Sequence, residues 1–313
     1  MSEIATRDAY GEALARLGEK NPRVVVLDGD LSGSTKTQVF GKKFPDRFFD
    51  MGIAEQNIAC AAAGLAMSGK IAFMSTFAVF APGRCFDQIR LQIAYNNLNV
   101  KIVTTHAGIT VGEDGASAQA LEDVAAVRAM ANMTVIVPCD GPETEAAVFA
   151  IADHAGPVYM RLGRAKVPVL YESGCPFRIG KSSQLRDGKD VTIIAAGVMV
   201  YESLRAAESL GAEGIGARVL DMATIKPLDV EAVVKAAADT GAVVTAEEHN
   251  IIGGLGGAVA EALVENRPVP MERIGVRDVF GRSGAPRALM EHYGLTAEKI
   301  AEAAKRVIGR RRG

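Results

Sequence analysis

Residues 100–138 read VKIVTTHAGITVGEDGASAQALEDVAAVRAMANMTVIVP. VKIVTTHAG predicts a buried strand, QALEDVAAVRAM a helix and MTVIVP the next strand, with a long polar loop after the first. A strand, a crossover helix and a second strand imply a parallel pair. The same alternation runs outward in both directions. Upstream, residues 6–20 form an amphipathic helix with Ala9, Ala13, Leu14 and Leu17 on one face. RVVVLDGD (23–30) is a buried strand, and a further short strand lies near Arg47–Met51. Residues 54–69 (AEQNIACAAAGLAMSG) predict a helix ending at Gly69, IAFMSTF (71–77) a strand and GRCFDQIRLQIAY (83–95) a helix. Downstream, GPETEAAVFAIADH (141–154) is a helix with Pro142 in its first turn, and PVYMRLG (157–163) is a strand.

Residues 164–190 break this rhythm with Pro168, Pro176 and several glycines, and read as a connection. A second alternating unit follows. Its strands are VTIIAAG (191–197), IGARVLDM (215–222) and AVVTAEEH (242–249), and VRDVFGRSG (276–284) starts another segment. The closing helix is capped by Thr296, and GRRRG (309–313) reads as a solvated tail. The fold class is therefore α/β: two parallel-sheet domains, 1–165 and 187–313, joined by a linker at 166–186.

Composition narrows the function. The chain has 313 residues, 35 Lys plus Arg against 37 Asp plus Glu, and a formal charge of −2. That balance lacks the basic footprint of a nucleic-acid-binding protein. No apolar run reaches the roughly 18 residues of a membrane span, and the charged first 20 residues carry no secretory signal. The four cysteines show no CxxC spacing, so a disulfide scaffold is not expected. Cys60, in an alanine-rich run, reads as a small buried residue. A cytoplasmic protein is the expectation.

Ligands of parallel sheets sit beyond the carboxyl ends of the strands. Asp28, Asp30, Ser75, Thr76, Phe77, His106, Glu247, Glu248 and His249 fall at such ends and outline a rim. Glu55 opens a helix whose next turns, Ile58 to Met67, hold no charge, and an all-apolar helix is expected to be buried. Its carboxylate either complements the helix dipole or sits in an apolar cleft, hydrogen-bonded to a ligand nitrogen. Phe77 and Phe80 are ordinary core or a platform for a flat heterocycle. His106 is a satisfied side chain or a catalyst. GGLGG (253–257) either cradles a phosphate or lets a helix pack closely.

The stretches DGDLSGS (28–34), MGIAEQN (51–57), STFAVF (75–80), THAGITVGEDGASAQ (105–119) and EEHNIIGGLG (247–256) together resemble the C-terminal half of transketolase, in the form split over two chains. The resemblance covers nearly the whole chain. It implies a thiamine-diphosphate-binding fold, with a pyrimidine domain followed by a transketolase C-terminal domain. It makes Glu55 the glutamate that bonds the aminopyrimidine nitrogen, with Phe77 and Phe80 around that ring and Asp30 near the cofactor. It assigns His106 a catalytic and substrate-binding part, puts His106 and Asp114 at the sugar hydroxyls, and puts Arg7, Ser34 and Arg161 at the acceptor's phosphate. Two positions depart from the family: Ala118 stands where a histidine is usual, and Gly83 where a tyrosine often follows the phenylalanines. No diphosphate and Mg²⁺ motif is present. An N-terminal subunit is therefore expected to hold the diphosphate and Mg²⁺, in an α2β2 heterotetramer acting on sugar phosphates in the pentose phosphate pathway. Two alternatives stand beside this reading. One keeps the cofactor, as the beta subunit of a 2-oxo-acid dehydrogenase decarboxylase or a 1-deoxyxylulose-5-phosphate synthase-like enzyme. The other is a non-catalytic scaffold.

Overall fold

Strand-forming runs of valine and isoleucine lie between alanine-rich helices, and a computed structural model of the chain resolves them over residues 2–311. The first unit runs β1 (Glu3–Ala5), α1 (Thr6–Lys20), β2 (Val24–Asp28), α2 (Ser32–Thr35), α3 (Gln38–Lys43), β3 (Phe48–Asp50) and α4 (Glu55–Met67). It continues with β4 (Ile71–Phe77), α5 (Ala81–Gln88), β5 (Val100–Thr105), α6 (Asp123–Arg128), β6 (Thr134–Ile136), α7 (Gly141–Asp153) and β7 (Val158–Arg161). β8 (Lys166–Pro168) and β9 (Ser183–Arg186) follow. The second unit holds β10 (Val191–Ala195), α8 (Met199–Ala212), β11 (Ala217–Asp221), β12 (Thr224–Lys226), α9 (Val230–Thr240) and β13 (Val243–Asn250). It ends with α10 (Leu255–Asn266), β14 (Met271–Val276), α11 (Pro286–Tyr293) and α12 (Ala297–Gly309).

Two main sheets result. The first has the order β12-β6-β7-β5-β4-β2-β3, parallel except for β12. The second has the order β14-β13-β10-β11-β9, parallel except for β9. The central parallel strands β2, β4, β5 and β10 are buried almost throughout, as their largely apolar runs require. α1 and α7 cover one face of the first sheet, where Tyr10, Leu14, Val148 and Ile151 join Val24, Phe73 and Met160. α4, α5 and the turn after α5 cover the other face through Ile58, Ala62, Cys85 and Ile89.

Several expectations change. The connection is not structureless: β8 pairs antiparallel with β1, and β9 forms an edge of the second sheet. β12 leaves the second unit and pairs antiparallel with β6, so the two units share a sheet. The helix expected over 83–95 is α5 with a break at Cys85, followed by a π turn over Ile89–Ala94. VRDVFGRSG is a loop after β14. α4 is not buried all round: Met67 is 76% exposed, Cys60 faces out, and Ile53 just ahead of the helix is 75% exposed. Of the tail, Arg312 and Gly313 lie outside the described residues. Among the described residues no helix is long and apolar enough to cross a membrane.

Candidate active site

The site begins with the register of two neighbouring strands. β4 and β5 pair with Phe77 opposite Thr105, so the residues leaving their carboxyl ends meet. His106 turns into the left-handed region (φ 58°) and lays its imidazole on Phe77, with centroids 3.8 Å apart. Phe80, at the start of α5, stacks on Phe77 at 5.6 Å.

The surroundings fix His106's protonation. Nδ1 lies 2.8 Å from the Thr105 hydroxyl, and Nε2 lies 3.2 Å from Arg7 Nη1. Arginine only donates, so Nε2 accepts and Nδ1 carries the proton. Burial, then the charges of Arg7, Arg164 and Lys36, push the pKa down to about 3. Arg7 Nη1 also donates to the Ser34 carbonyl at 3.2 Å. Arg164 donates to the Val111 carbonyl at 2.6 Å and pairs with Asp114 at 3.4 Å. Arg7, Arg164 and Lys36 thus form a positive group around a neutral imidazole.

Glu55 approaches from the other side. It is the first residue of α4 and only 5% exposed. Its Oε1 accepts from Arg84 Nη1 at 2.6 Å, and the Arg84 guanidinium lies 3.9 Å over the Phe80 ring. Gln56 Nε2 donates to the Arg84 carbonyl at 3.1 Å. Ile53, Ala54, Glu55, Gln56, Asn57 and Arg84 line an open cleft of about 390 Å³. Thr76 Oγ1, beside Gly29 at the end of β2, is buried with no partner. Asp30 follows Gly29, exposed and left-handed, with its N–H donating to Asp50.

Other rim residues hold the fold instead. Asp28 accepts from Thr35, Thr37 and the Leu31 N–H. Ser75 bonds the Tyr10 hydroxyl. Glu247 accepts from the N–H groups of Leu255 and Gly256, so the protein's own carboxylate fills the α10 N-terminus that GGLGG could have offered to a phosphate. Glu248 accepts from the Thr110 N–H, and His249 bonds the Asn250 carbonyl. Arg161 is also elsewhere than expected. It is 5% exposed, ion-paired with Asp123 at 2.8 Å, and donates to the carbonyls of Ala120 and Glu248. Its Nε and Nη2 are spent on three internal acceptors, and it is Arg164 whose charge stands with that of Arg7 at His106. Sequence reading missed Arg84, Arg164 and Lys36. Arg164 had a signal, three residues beyond Arg161 at the end of β7; Arg84 had none, since its partner is 29 residues away.

The comparisons with known proteins give the family. The pyrimidine binding domain of transketolase matches residues 2–169, and the transketolase C-terminal domain matches residues 180–300. The chain belongs to the transketolase family and corresponds to the C-terminal subunit of its split form. It is 47% identical, over 99% of its length and 97% of the relative's, to a 6-deoxy-6-sulfo-D-fructose transketolase subunit of Clostridium sp. (strain MSTE9). It is 42% identical to an apulose-4-phosphate transketolase subunit of Phocaeicola vulgatus, over 96% of each chain. A solved split gene transketolase, described as an inactive beta4 tetramer, superposes with a TM-score of 0.93 at 55% identity, over 99% of this chain and 100% of that one. Human transketolase is 41% identical over 98% of this chain but only 49% of its own length.

The family implies thiamine diphosphate, and the residues present fit half of it. A buried carboxylate, two aromatic faces and the unpartnered Thr76 hydroxyl suit a flat nitrogen heterocycle. The one metal-capable group among the described residues does not suit the Mg²⁺ that accompanies the diphosphate. Among the described residues, the one group of three close enough to ligate a metal is Cys139, Glu143 and Asp221, buried where the two units meet. Mg²⁺ prefers oxygen ligands in open, hydrated sites, which that group does not offer.

Proposed function

We propose that this chain is the pyrimidine-side subunit of a thiamine-diphosphate-dependent transketolase that moves a two-carbon ketol unit from a ketose phosphate to an aldose acceptor. The observation that carries the reading is Glu55, buried at the head of α4 and facing an open cleft beside Phe80. Bound thiamine diphosphate supplies a nucleophilic thiazolium carbon and an electron sink for carbon–carbon cleavage. Glu55 holds a proton at the aminopyrimidine ring nitrogen and so increases the basicity of the exocyclic nitrogen. Phe80 offers its outer face to the ring, Phe77 backs Phe80 from behind, and the pair keeps water from that side. Neutral His106 meets a substrate hydroxyl only where that hydroxyl takes the place of Arg7 at Nε2, its one acceptor nitrogen. Arg7, Arg164 and Lys36 draw in and hold an anionic acceptor, with Ser34 and Asp114 on the same rim. Asp30 lies near the cofactor, at the carboxyl end of β2.

A second chain completes the site. An N-terminal subunit holds the diphosphate and Mg²⁺, in an α2β2 assembly. The exposed apolar side chains of Ile53, Met67, Phe86, Leu91 and Tyr95, on and around α4, α5 and the π turn, support an interface beside Glu55. The catalytic rim belongs to residues 1–165, 166–186 connect, and 187–313 brace from behind. The location is the cytoplasm. A ketose-phosphate donor fits the pentose phosphate pathway, yet relatives are named for a sulfosugar and for apulose-4-phosphate. Ala118 and Gly83 leave no imidazole or phenol at two substrate positions. The donor panel therefore spans phosphorylated, sulfonated and neutral ketoses.

The test mixes the chain with its N-terminal subunit, thiamine diphosphate and Mg²⁺, and follows ketol transfer. Transfer is expected only in the mixture. Glu55→Gln should lower it by about a hundredfold or more without changing the thermal melt. Full activity of the chain alone, or of the Glu55→Gln mixture, would overturn the reading.

A further inference from the structure

Glu55 poses a physical problem in the chain by itself. A carboxylate this buried is costly unless something pairs with it. The partner is Arg84, from a different helix, at 2.6 Å. The same guanidinium lies flat over Phe80 at 3.9 Å, a distance typical of a cation on an aromatic face. One planar, nitrogen-bearing group therefore makes both contacts that the proposed function asks of the aminopyrimidine: an N–H toward Glu55 and a face against Phe80. Phe77 is already stacked against both His106 and Phe80, which leaves the Phe80 side as the berth.

Resting on that reading of Glu55, we infer that Arg84 is a resident stand-in for the cofactor ring. It occupies the ring's berth in the uncombined subunit and has to leave before the ring can reach Glu55. Three features make the exchange cheap. Arg84 is 48% exposed, so about half of its side chain already lies in solvent. The next residue, Cys85, leaves helical geometry (φ −125°, ψ 33°), so Arg84 sits at a break in α5. Its backbone is held by Gln56 through the carbonyl, which leaves the side chain free to swing. The ligand class follows from the contact pair: a flat heterocycle with a ring nitrogen that shares a proton with a carboxylate. The device keeps Glu55 charge-paired and the Phe80 face covered until a partner and cofactor arrive.

The test uses the full chain and 4-amino-5-hydroxymethyl-2-methylpyrimidine, the ring fragment of thiamine, with binding measured by calorimetry. Arg84→Ala should bind the fragment at least about tenfold more tightly than the parent chain, and Arg84→Lys, which keeps charge but not the plane, should fall between. Adding Glu55→Gln to Arg84→Ala should erase the gain. Equal or weaker binding by Arg84→Ala, or no binding by any variant, overturns the stand-in. If Arg84→Ala gains affinity that Glu55→Gln leaves untouched, the role of Glu55 fails instead, and the stand-in falls with it. Thermal melts confirm folding, and Arg84→Met replaces Arg84→Ala if the alanine variant is unstable. In the assembled, cofactor-loaded complex the guanidinium should be off Phe80; a structure with it still stacked there overturns the proposal.

Discussion

Arg7 and His106 share one hydrogen bond, and its direction decides what the imidazole can do. With Arg7 as obligatory donor and Arg164 and Lys36 nearby, a proton on Nε2 is excluded well into acid. The imidazole signals of His106 in NMR should not move between pH 8 and pH 5; a midpoint near pH 6.5 would show that the cationic group does not act on it. Stability follows the same shift. The folded pKa of about 3 lies below the roughly 6.5 of an unfolded histidine. The unfolded chain binds more protons between those values, so this contribution is present above about pH 6.5 and is lost as pH falls toward 3. Arg161 calls for a different expectation. Arg161→Met leaves Asp123 buried without its counter-ion, which costs about 3–5 kcal/mol. A lowered melting temperature should dominate over any change in preference for phosphorylated acceptors. An unchanged melt with selective loss on phosphorylated acceptors would return Arg161 to the substrate. The burial of Glu55 was legible because a lone acid heads a helix with no other charge. The part of Arg161 was not, because only folding brings Asp123 and the Glu248 carbonyl to it.

Helix α4 carries its meaning on the side that the first sheet does not cover. Ile58, Ala59, Ala62 and Ala63 face the core, while Cys60 and Met67, with Ile53 just ahead of the helix, face out. Apolar character all round predicts burial on every side, but the chain covers one side only. Met67→Glu should leave the melt of the chain unchanged and weaken its association with the N-terminal subunit by about tenfold or more. A variant that assembles normally would place the interface elsewhere. The long strands were readable from their valine and isoleucine runs. β8, β9 and β12 were not, since three or four residues give too little periodicity and their pairing is set by distant segments. The break at Cys85 was hidden too, because GRCFDQIRLQIAY keeps a helical pattern across it.

At the level of the molecule, the carboxyl ends of the two sheets meet, leaving cavities of about 20 and 30 Å³ around Arg161, Gly197 and Glu248. The second sheet's own ligand edge is therefore closed by the first unit. Here Glu143 of α7 lies against Asp221 of β11, with Tyr171 donating to Asp221 at 2.9 Å. Burial, then the charge of Asp221, raises the pKa of Glu143 well above the usual carboxylate range. The folded chain keeps a proton that the unfolded chain releases, so this contribution is favourable in acid and is lost as pH rises past the ordinary glutamate value. Glu143→Gln should match the parent's melt near pH 4 and exceed it at pH 8. A difference that does not change with pH would mean that Glu143 is ionised in the fold. The α/β class and two-unit order were legible from alternation alone. This meeting surface was not, because it joins residues 143 and 221 across the connection.

The crossing of β12 onto β6 has one more consequence. A cut anywhere between the two units would strip the border strand from the catalytic half and leave bare amide and carbonyl groups along β6. Such a fragment invites sticking to its own copies along β6.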